Sequence, residues 1–188
     1  MITETPKPAR PEHPTLGPFL EALAAFPDGY KALEIGTRRW VESTPTHHCE
    51  WFPRGFLTMS DGMPGLDVDV VADAHNLTAT FGRDAFHAFA ACSVWEHLER
   101  PWIAAREVIR VLKPGGIFFV QTHQTFPIHG YPHDFFRFSD AALKLIFEDA
   151  GAIGVISAYE FPARIVSERC GEQKPAWLNV CAFGRKRR

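Results

Sequence analysis

Residues 106–116 read REVIRVLKPGG, and the apolar segment IFFVQT follows at 117–122. Pro101 suits the first turn of a helix, so we predict a helix over Pro101–Leu112. The Lys-Pro-Gly-Gly run at 113–116 should end it, because proline and glycine do not continue a helix. Ile117–Thr122 is then a predicted buried strand, so this stretch indicates a helix, a tight turn and a strand.

The same alternation precedes and follows this stretch. Further predicted strands are Lys31–Gly36, Phe56–Met59, Val68–Ala72 and Ala85–Ser93, further helices are Leu16–Phe26 and Ser139–Ala150, and Ile153–Tyr159 with Trp177–Phe183 would form an antiparallel edge pair. Strands alternating with helices through short connections favour a mainly parallel sheet with helices on both faces. We therefore predict an α/β fold in three layers, α/β/α.

The 188 residues suit one domain. Residues 1–15 are rich in proline and are predicted to be a flexible N-terminal arm, and 16–188 a single domain. No repeat or interior linker divides the chain.

Charge and composition narrow the class of partner. The formal net charge is −2 and the basic run is confined to the last residues, 185–188, which disfavours a nucleic-acid partner. Four scattered cysteines without a CxxC pair fit a reduced cytoplasm. No apolar stretch approaches the roughly 20 residues of a membrane span. We expect a cytoplasmic protein with a small-molecule partner, and a homodimer is left open.

Acidic residues close three successive predicted strands. Glu34 with Gly36, Asp61 and Asp73 all stand at strand ends. Ligands of open α/β sheets bind beyond the carboxyl ends of the strands, and carboxylates accept hydrogen bonds from ribose hydroxyls and amino groups. The alternative is that Asp61 and Asp73 are turn residues, since aspartate bonds nearby backbone.

Four motifs occur together in a fixed order. They are LEIG at 33–36, VVADAHNL at 70–77, VWEHLERP at 94–101 and REVIRVLKPGG at 106–116. In this order the chain resembles the class I S-adenosylmethionine-dependent methyltransferases, of the type 11 kind. FPIHGYPHDFFRFS at 126–139 is similar to a Pro-x-Asp-Phe-x-Arg-Phe element of one branch of these enzymes. The resemblance implies a Rossmann-like, doubly wound methyltransferase domain.

The resemblance also implies a cofactor, S-adenosylmethionine, with S-adenosylhomocysteine as product. The implied cofactor-binding residues are Glu34 and Gly36 near the methionine part, Asp61 near the ribose, Asp73 and Ala74 near the adenine, and Ser93 and Val94 beside the methionine part and the methyl group. Thr37 and Arg38 of the first loop are also predicted to bind the cofactor. One departure concerns the first loop, where Arg38 and Trp40 replace two glycines of the family. Arg38 would pair with the cofactor's carboxylate or with a surface acid.

Histidines are the natural bases for a hydroxyl acceptor. The chain offers His97, His123, His129 and His133 after the fourth and fifth strands, and each has the alternative role of a hydrogen-bonded structural group. The predicted substrate-binding residues are Tyr131, Asp134, Phe135 and Arg137, of which Asp134 and Arg137 have the alternative of pairing to pin their loop.

No metal site is predicted from spacing. His129, His133 and Asp134 form one group and His47, His48 and Cys49 another, but neither has the paired spacing of a zinc site. We predict an enzyme that methylates a small-molecule or sugar-like acceptor, with oxygen as the target atom. The alternatives are a catalytically silent binding domain and a nicotinamide oxidoreductase, for which a GxGxxG after the first strand is lacking.

Overall fold

The computed structural model describes residues 14–40, 44–166, 169 and 171–188. Residues 1–13 of the predicted arm over 1–15 lie outside the described residues. Within the described residues no helix is both long and apolar enough to cross a membrane.

A seven-stranded sheet organises the chain. Its strands are β1 Lys31–Ile35, β2 Phe56–Asp61, β3 Val70–Val71, β4 Phe86–Cys92, β5 Leu112–His123, β6 Ala152–Val166 and β7 Gln173–Lys186. The order across the sheet is β3-β2-β1-β4-β5-β7-β6, with the first five strands parallel and β7 antiparallel to both neighbours. The predicted parallel sheet with an antiparallel edge pair is therefore confirmed.

The helices are α1 Leu16–Ala24, α2 Leu77–Phe81, α3 Pro101–Val111 and α4 Asp140–Asp149, with short 3-10 turns at Cys49–Trp51, Ala74–Asn76 and Trp95–His97. Ser139 caps α4 as predicted, because its Oγ accepts a hydrogen bond from the amide of Ala142 at 3.1 Å.

Side-chain alternation along the strands builds a core on each face of the sheet. Leu33, Phe89 and Phe118 point into the core that α3 and α4 cover. Their neighbours in sequence, Ala32, Ala88 and Phe119, point into the core on which Phe19 of α1 packs. The period of two in the sequence therefore makes the three layers.

The turn predicted at 113–116 is instead part of an irregular strand. Leu112 pairs with Phe86 and Ile117 with Ala88, so β5 carries extra residues against a short step in β4. Gly115, at φ +76°, adopts the backbone conformation that this bulge needs. The boundary at Ile117 was therefore wrong: helix α3 passes directly into β5.

Strand order reverses between β1 and β4, and this reversal fixes where a ligand can lie. From β1 the chain adds β2 and β3 on one side, and from β4 it adds β5 on the other. Loops leaving β1 and β4 therefore diverge, and they leave a crevice at the carboxyl edge of these two strands.

Candidate functional site

Two of the predicted cofactor-binding residues meet at the crevice. Gly36 follows β1 with φ +80°, and a Cβ built on it would lie 2.2 Å from Cγ2 of Val94, which follows β4. The amides of Gly36 and Thr37 donate to the carbonyl of Ser60, at 2.8 and 3.2 Å. The first loop is thus held against its neighbours at a distance that only glycine permits.

Glu34 is buried and already has hydrogen-bond partners. It is 1% exposed, and its carboxylate accepts hydrogen bonds from the His48 amide at 3.0 and 3.1 Å. His48 Nδ1 lies 2.6 Å from Oε1, and the His48 ring stacks on Trp51 at 4.1 Å. Glu34 therefore anchors the segment that leads into the turn Cys49–Trp51.

Asp61 and Asp73 lie at the same edge, at or just beyond the ends of the adjacent strands β2 and β3. Asp61 accepts from the Met63 amide at 3.0 Å and the Arg38 amide at 3.4 Å. Asp73 accepts from the amide and Nδ1 of His75, both at 2.8 Å. These are the turn contacts that the sequence left as an alternative. A carboxylate accepts about four hydrogen bonds, so both keep capacity for a ligand.

Hydrogen bonding also sets the charge of Asp73. Partial burial alone would raise the pKa of Asp73. The hydrogen bonds from His75 and the positive charges of His75 and Arg100 outweigh burial, so the pKa of Asp73 lies below its usual value. Asp73 is therefore ionised at neutral pH. Ala74 begins the 3-10 turn that Asp73 caps.

The first loop, which carries Arg38 and Trp40, is held by contacts of its own side chains. The Arg38 guanidinium lies 4.0 Å from the ring centre of Trp40, so these two side chains stack on each other. The neighbouring Arg39 pairs with Asp67 at 2.6 and 3.0 Å. Buried Thr37 donates to the Asp67 carbonyl at 2.6 Å. Contacts to the β2–β3 connection thus hold this loop.

A buried carboxylate, Glu96, gathers three of the four predicted histidines. Glu96 lies in the turn Trp95–His97 after β4 and has no exposed surface. Its Oε2 accepts from Thr122 Oγ1 at 2.7 Å. Its Oε1 lies 3.1 Å from Nε2 of His123 and 3.8 Å from Nε2 of both His97 and His129. We call Glu96, His97, His123 and His129 the Glu96 cluster.

Oxygen atoms orient each histidine of the cluster through Nδ1. The acceptor is Asn179 Oδ1 at 2.9 Å for His123, the His133 carbonyl at 2.5 Å for His97 and the Pro127 carbonyl at 3.2 Å for His129. Burial lowers the pKa of His123, and the charge of Glu96 offsets this only in part.

His133 does not join the cluster through its ring. Its side chain is exposed and lies 6.2 Å from the Phe135 ring centre, and only its carbonyl reaches His97. Its catalytic role stays a prediction. Tyr131 is 87% exposed and Phe135 42% exposed, so both present aromatic surface beside the cluster's loop.

Asp134 and Arg137 form the pair that the sequence offered as an alternative. The Arg137 guanidinium donates to both Asp134 oxygens, at 2.5 and 2.8 Å, and to the carbonyls of Phe126 and Pro127. The guanidinium holds the pKa of Asp134 well below its usual range. This pair fixes the loop over residues 126–137, which carries His129.

Sequence analysis did not include Glu96 among the candidate site residues, although Glu96 follows β4 as Asp61 ends β2. Polar residues at strand ends were already suspects, so the same rule applied to the VWEHLERP motif would have included it. Two cavities of about 300 Å³ each lie elsewhere in the molecule. Neither is lined by the Glu96 cluster or by the rim acids, as we call Glu34, Asp61 and Asp73 at the sheet edge. One is beneath α1, by Tyr30 and Trp51, and the other is beside Arg106 and Lys186.

Comparison with known proteins finds one family whose model matches part of the chain. Residues 59–120 match the methyltransferase domain family, so the match begins within β2, after the first loop, and ends within β5. No curated protein matches the sequence significantly.

Solved structures with the same fold include three that cover most of this chain. An S-adenosylmethionine-dependent methyltransferase of Archaeoglobus fulgidus has 15% identity and a TM-score of 0.65, covering 91% of each chain. A Burkholderia thailandensis 1,6-didemethyltoxoflavin-N1-methyltransferase with bound S-adenosylhomocysteine has 12% identity and a TM-score of 0.59, covering 91% of this chain and 76% of its own. A complex of the Haloferax volcanii Trm112 methyltransferase activator with a methyltransferase has 18% identity and a TM-score of 0.59, covering 89% of this chain and 87% of its own.

Gly36→Ala should destabilise the protein. Alanine at φ +80° costs about 1–2 kcal/mol and the overlap with Val94 about 1–3 kcal/mol more, so we expect about 2–5 kcal/mol less free energy of unfolding. Urea unfolding measures this. Gly62→Ala is the matched control, because a Cβ there meets no atom within 4 Å. Equal stability of the two variants would contradict the close approach.

The strand order, the reversal point and the methyltransferase-domain match agree with one another. The chain therefore has the fold of solved S-adenosylmethionine-dependent methyltransferases, and its segment 59–120 is similar to the methyltransferase domain family.

Proposed function

We propose that this chain transfers a methyl group from S-adenosylmethionine to an oxygen atom of a small-molecule or sugar-like acceptor and releases S-adenosylhomocysteine. One juxtaposition carries the proposal. Acidic residues lie at the ends of the adjacent strands β1, β2 and β3, and the Glu96 cluster lies across the reversal point, at the ends of β4 and β5. A nucleoside site and an acceptor site thus share one edge.

The cofactor would lie along the rim from β3 towards β4. Asp73 and Ala74 would hold the adenine, Asp61 the ribose, and Gly36 with Val94 and Ser93 the methionine part. Asp73 and Asp61 keep free acceptor capacity, and Gly36 brings bare backbone to the crevice. Glu34 would act through His48, by fixing the segment beside the first loop.

The acceptor would lie against the Glu96 cluster. Methyl transfer from a sulfonium is a direct displacement. The protein must therefore align acceptor oxygen, methyl carbon and sulfur, and must remove the proton of the acceptor hydroxyl. The cluster is the group at this edge that could do so, since it combines imidazoles with a buried carboxylate. Tyr131 and Phe135 would contact the acceptor, while Asp134 and Arg137 hold their loop in place.

The second candidate is a silent methyltransferase-like binding domain. The observation that favours it is the stack of Arg38 on Trp40 in the cofactor loop, together with the use of Glu34 by His48. A partner protein would then take the place of catalysis; one structural relative is seen in complex with an activator protein. A nicotinamide oxidoreductase is disfavoured, because no GxGxxG follows β1.

Thermal melting with S-adenosylhomocysteine, S-adenosylmethionine and NAD tests the cofactor. At 100 times the dissociation constant, a ligand stabilises by about 2.7 kcal/mol, which corresponds to several degrees for this size. We expect a shift with both adenosyl ligands and none with NAD. The proposal would be overturned if only NAD raised the melting temperature, or if none of the three ligands did. Transfer of a labelled methyl group to candidate acceptors then separates an enzyme from a silent domain.

Asp61→Ala should weaken the binding of S-adenosylhomocysteine about 10- to 100-fold. Hydrogen bonds to a charged group contribute about 1.5–3 kcal/mol, and the ribose would lose them. Isothermal titration calorimetry measures the affinity. Asp28→Ala is the control, because Asp28 is an exposed acid before β1 that pairs with Arg54. Unchanged affinity in Asp61→Ala would remove the ribose assignment.

A further inference from the structure

Oε1 of Glu96 is a buried carboxylate oxygen that forms no hydrogen bond within the described part of the chain. The other oxygen, Oε2, is bonded by Thr122 Oγ1. Taking a carboxylate out of water costs several kcal/mol, and native proteins compensate it with partners or an ion. The Arg137 guanidinium interacts with Glu96 electrostatically but donates no hydrogen bond to it, so Oε1 still lacks a direct partner that a bound cation would supply.

The histidines present lone pairs to that oxygen. The Nδ1 atoms of His97, His123 and His129 all face oxygens that only accept hydrogen bonds, so in neutral rings Nδ1 carries the hydrogen. Nε2 is then an acceptor in each ring, and it points to within 3.1–3.8 Å of Oε1. Acceptors facing a carboxylate repel one another unless a cation lies between them.

The spacing fits such a cation. Oε1 of Glu96 and one nitrogen each of His123 and His129 lie within 4.8 Å of one another. Zinc bonds of about 2.0–2.2 Å in a tetrahedron place neighbouring ligand atoms about 3.4 Å apart. The distances of 3.1 and 3.8 Å from Oε1 to the two histidines lie on either side of this value.

We infer that Glu96, His123 and His129 bind a divalent transition-metal ion of the zinc type. Imidazole and carboxylate are ligands that zinc accepts, and hydrogen bonds from the other ring nitrogen to an oxygen are the usual outer support of metal-bound histidine. His129 is 34% exposed at its side chain, so the site is reachable from solvent. His97 lies beside the ligands, and a position remains for water or an acceptor oxygen.

A role for the ion in methyl transfer rests on the proposed function. An acceptor hydroxyl bound to the ion would lose its proton to water more readily, as metal-bound water does. Its oxygen would then form the C–O bond while the C–S bond of S-adenosylmethionine breaks and its electron pair passes to sulfur. The ligands come from separate strand ends, which is why their spacing in the sequence indicated no metal.

Cobalt binding tests the site directly. Tag-free protein, stripped with EDTA and dialysed, is titrated with Co²⁺ and followed by its visible absorption, and Zn²⁺ is then added in competition. We expect one Co²⁺ per chain and its displacement by Zn²⁺. Absence of stoichiometric binding would overturn the inference.

Two ligand variants and one control locate the ion. Glu96→Gln and His129→Ala should weaken Co²⁺ binding by at least about 100-fold, the upper end of the loss seen for outer partners. His129 is partly exposed, so its variant should keep the fold. His87→Asn, at the opposite end of β4, should bind Co²⁺ as the parent does. Parent-like affinity in both ligand variants would contradict the assignment.

Binding of S-adenosylhomocysteine, measured on the same samples, separates this inference from the proposed function. If S-adenosylhomocysteine binds but Co²⁺ does not, the metal site alone is overturned. Binding of Co²⁺ without the nucleoside would support the metal site and overturn the cofactor assignment.

Discussion

The contact between Gly36 and Val94 is the constraint on which the rest of the site depends. Strands β1 and β4 are neighbours that send their loops in opposite directions, and the two loops meet where a Cβ would lie 2.2 Å from a methyl group. This contact fixes the first loop against the turn that carries Glu96. In the proposed function, this contact would set the distance between the nucleoside and the acceptor.

Two buried glutamates lie on either side of this contact in different electrostatic states. Glu34 at the end of β1 has its charge satisfied by His48, which donates from both its backbone and its ring. Glu96 beyond β4 is as deeply buried, but one of its oxygens faces only histidine nitrogens. The first carboxylate stabilises a segment, whereas the second has the features of a ligand.

Much of the fold could be predicted from the sequence, because its signals depend only on neighbouring residues. The apolar runs indicate the strands, and Pro101 and Ser139 mark the starts of α3 and α4. The start of β5 at Leu112 could not, since the bulge depends on pairing with β4. The rim acids were predictable from their places at strand ends. The three histidines of the Glu96 cluster were predicted as candidate bases, but their convergence on Glu96 was not. These residues come together only when β4 and β5 pair and the Asp134–Arg137 contact holds the loop that carries His129.

A crystal structure with bound S-adenosylhomocysteine would show where the cofactor lies. We expect the ribose hydroxyls on Asp61, the adenine beside Asp73, and the sulfur directed across Gly36 towards Glu96. A nucleoside bound elsewhere, such as in the cavity beneath α1, or a sulfur directed away from the Glu96 cluster, would contradict this expectation.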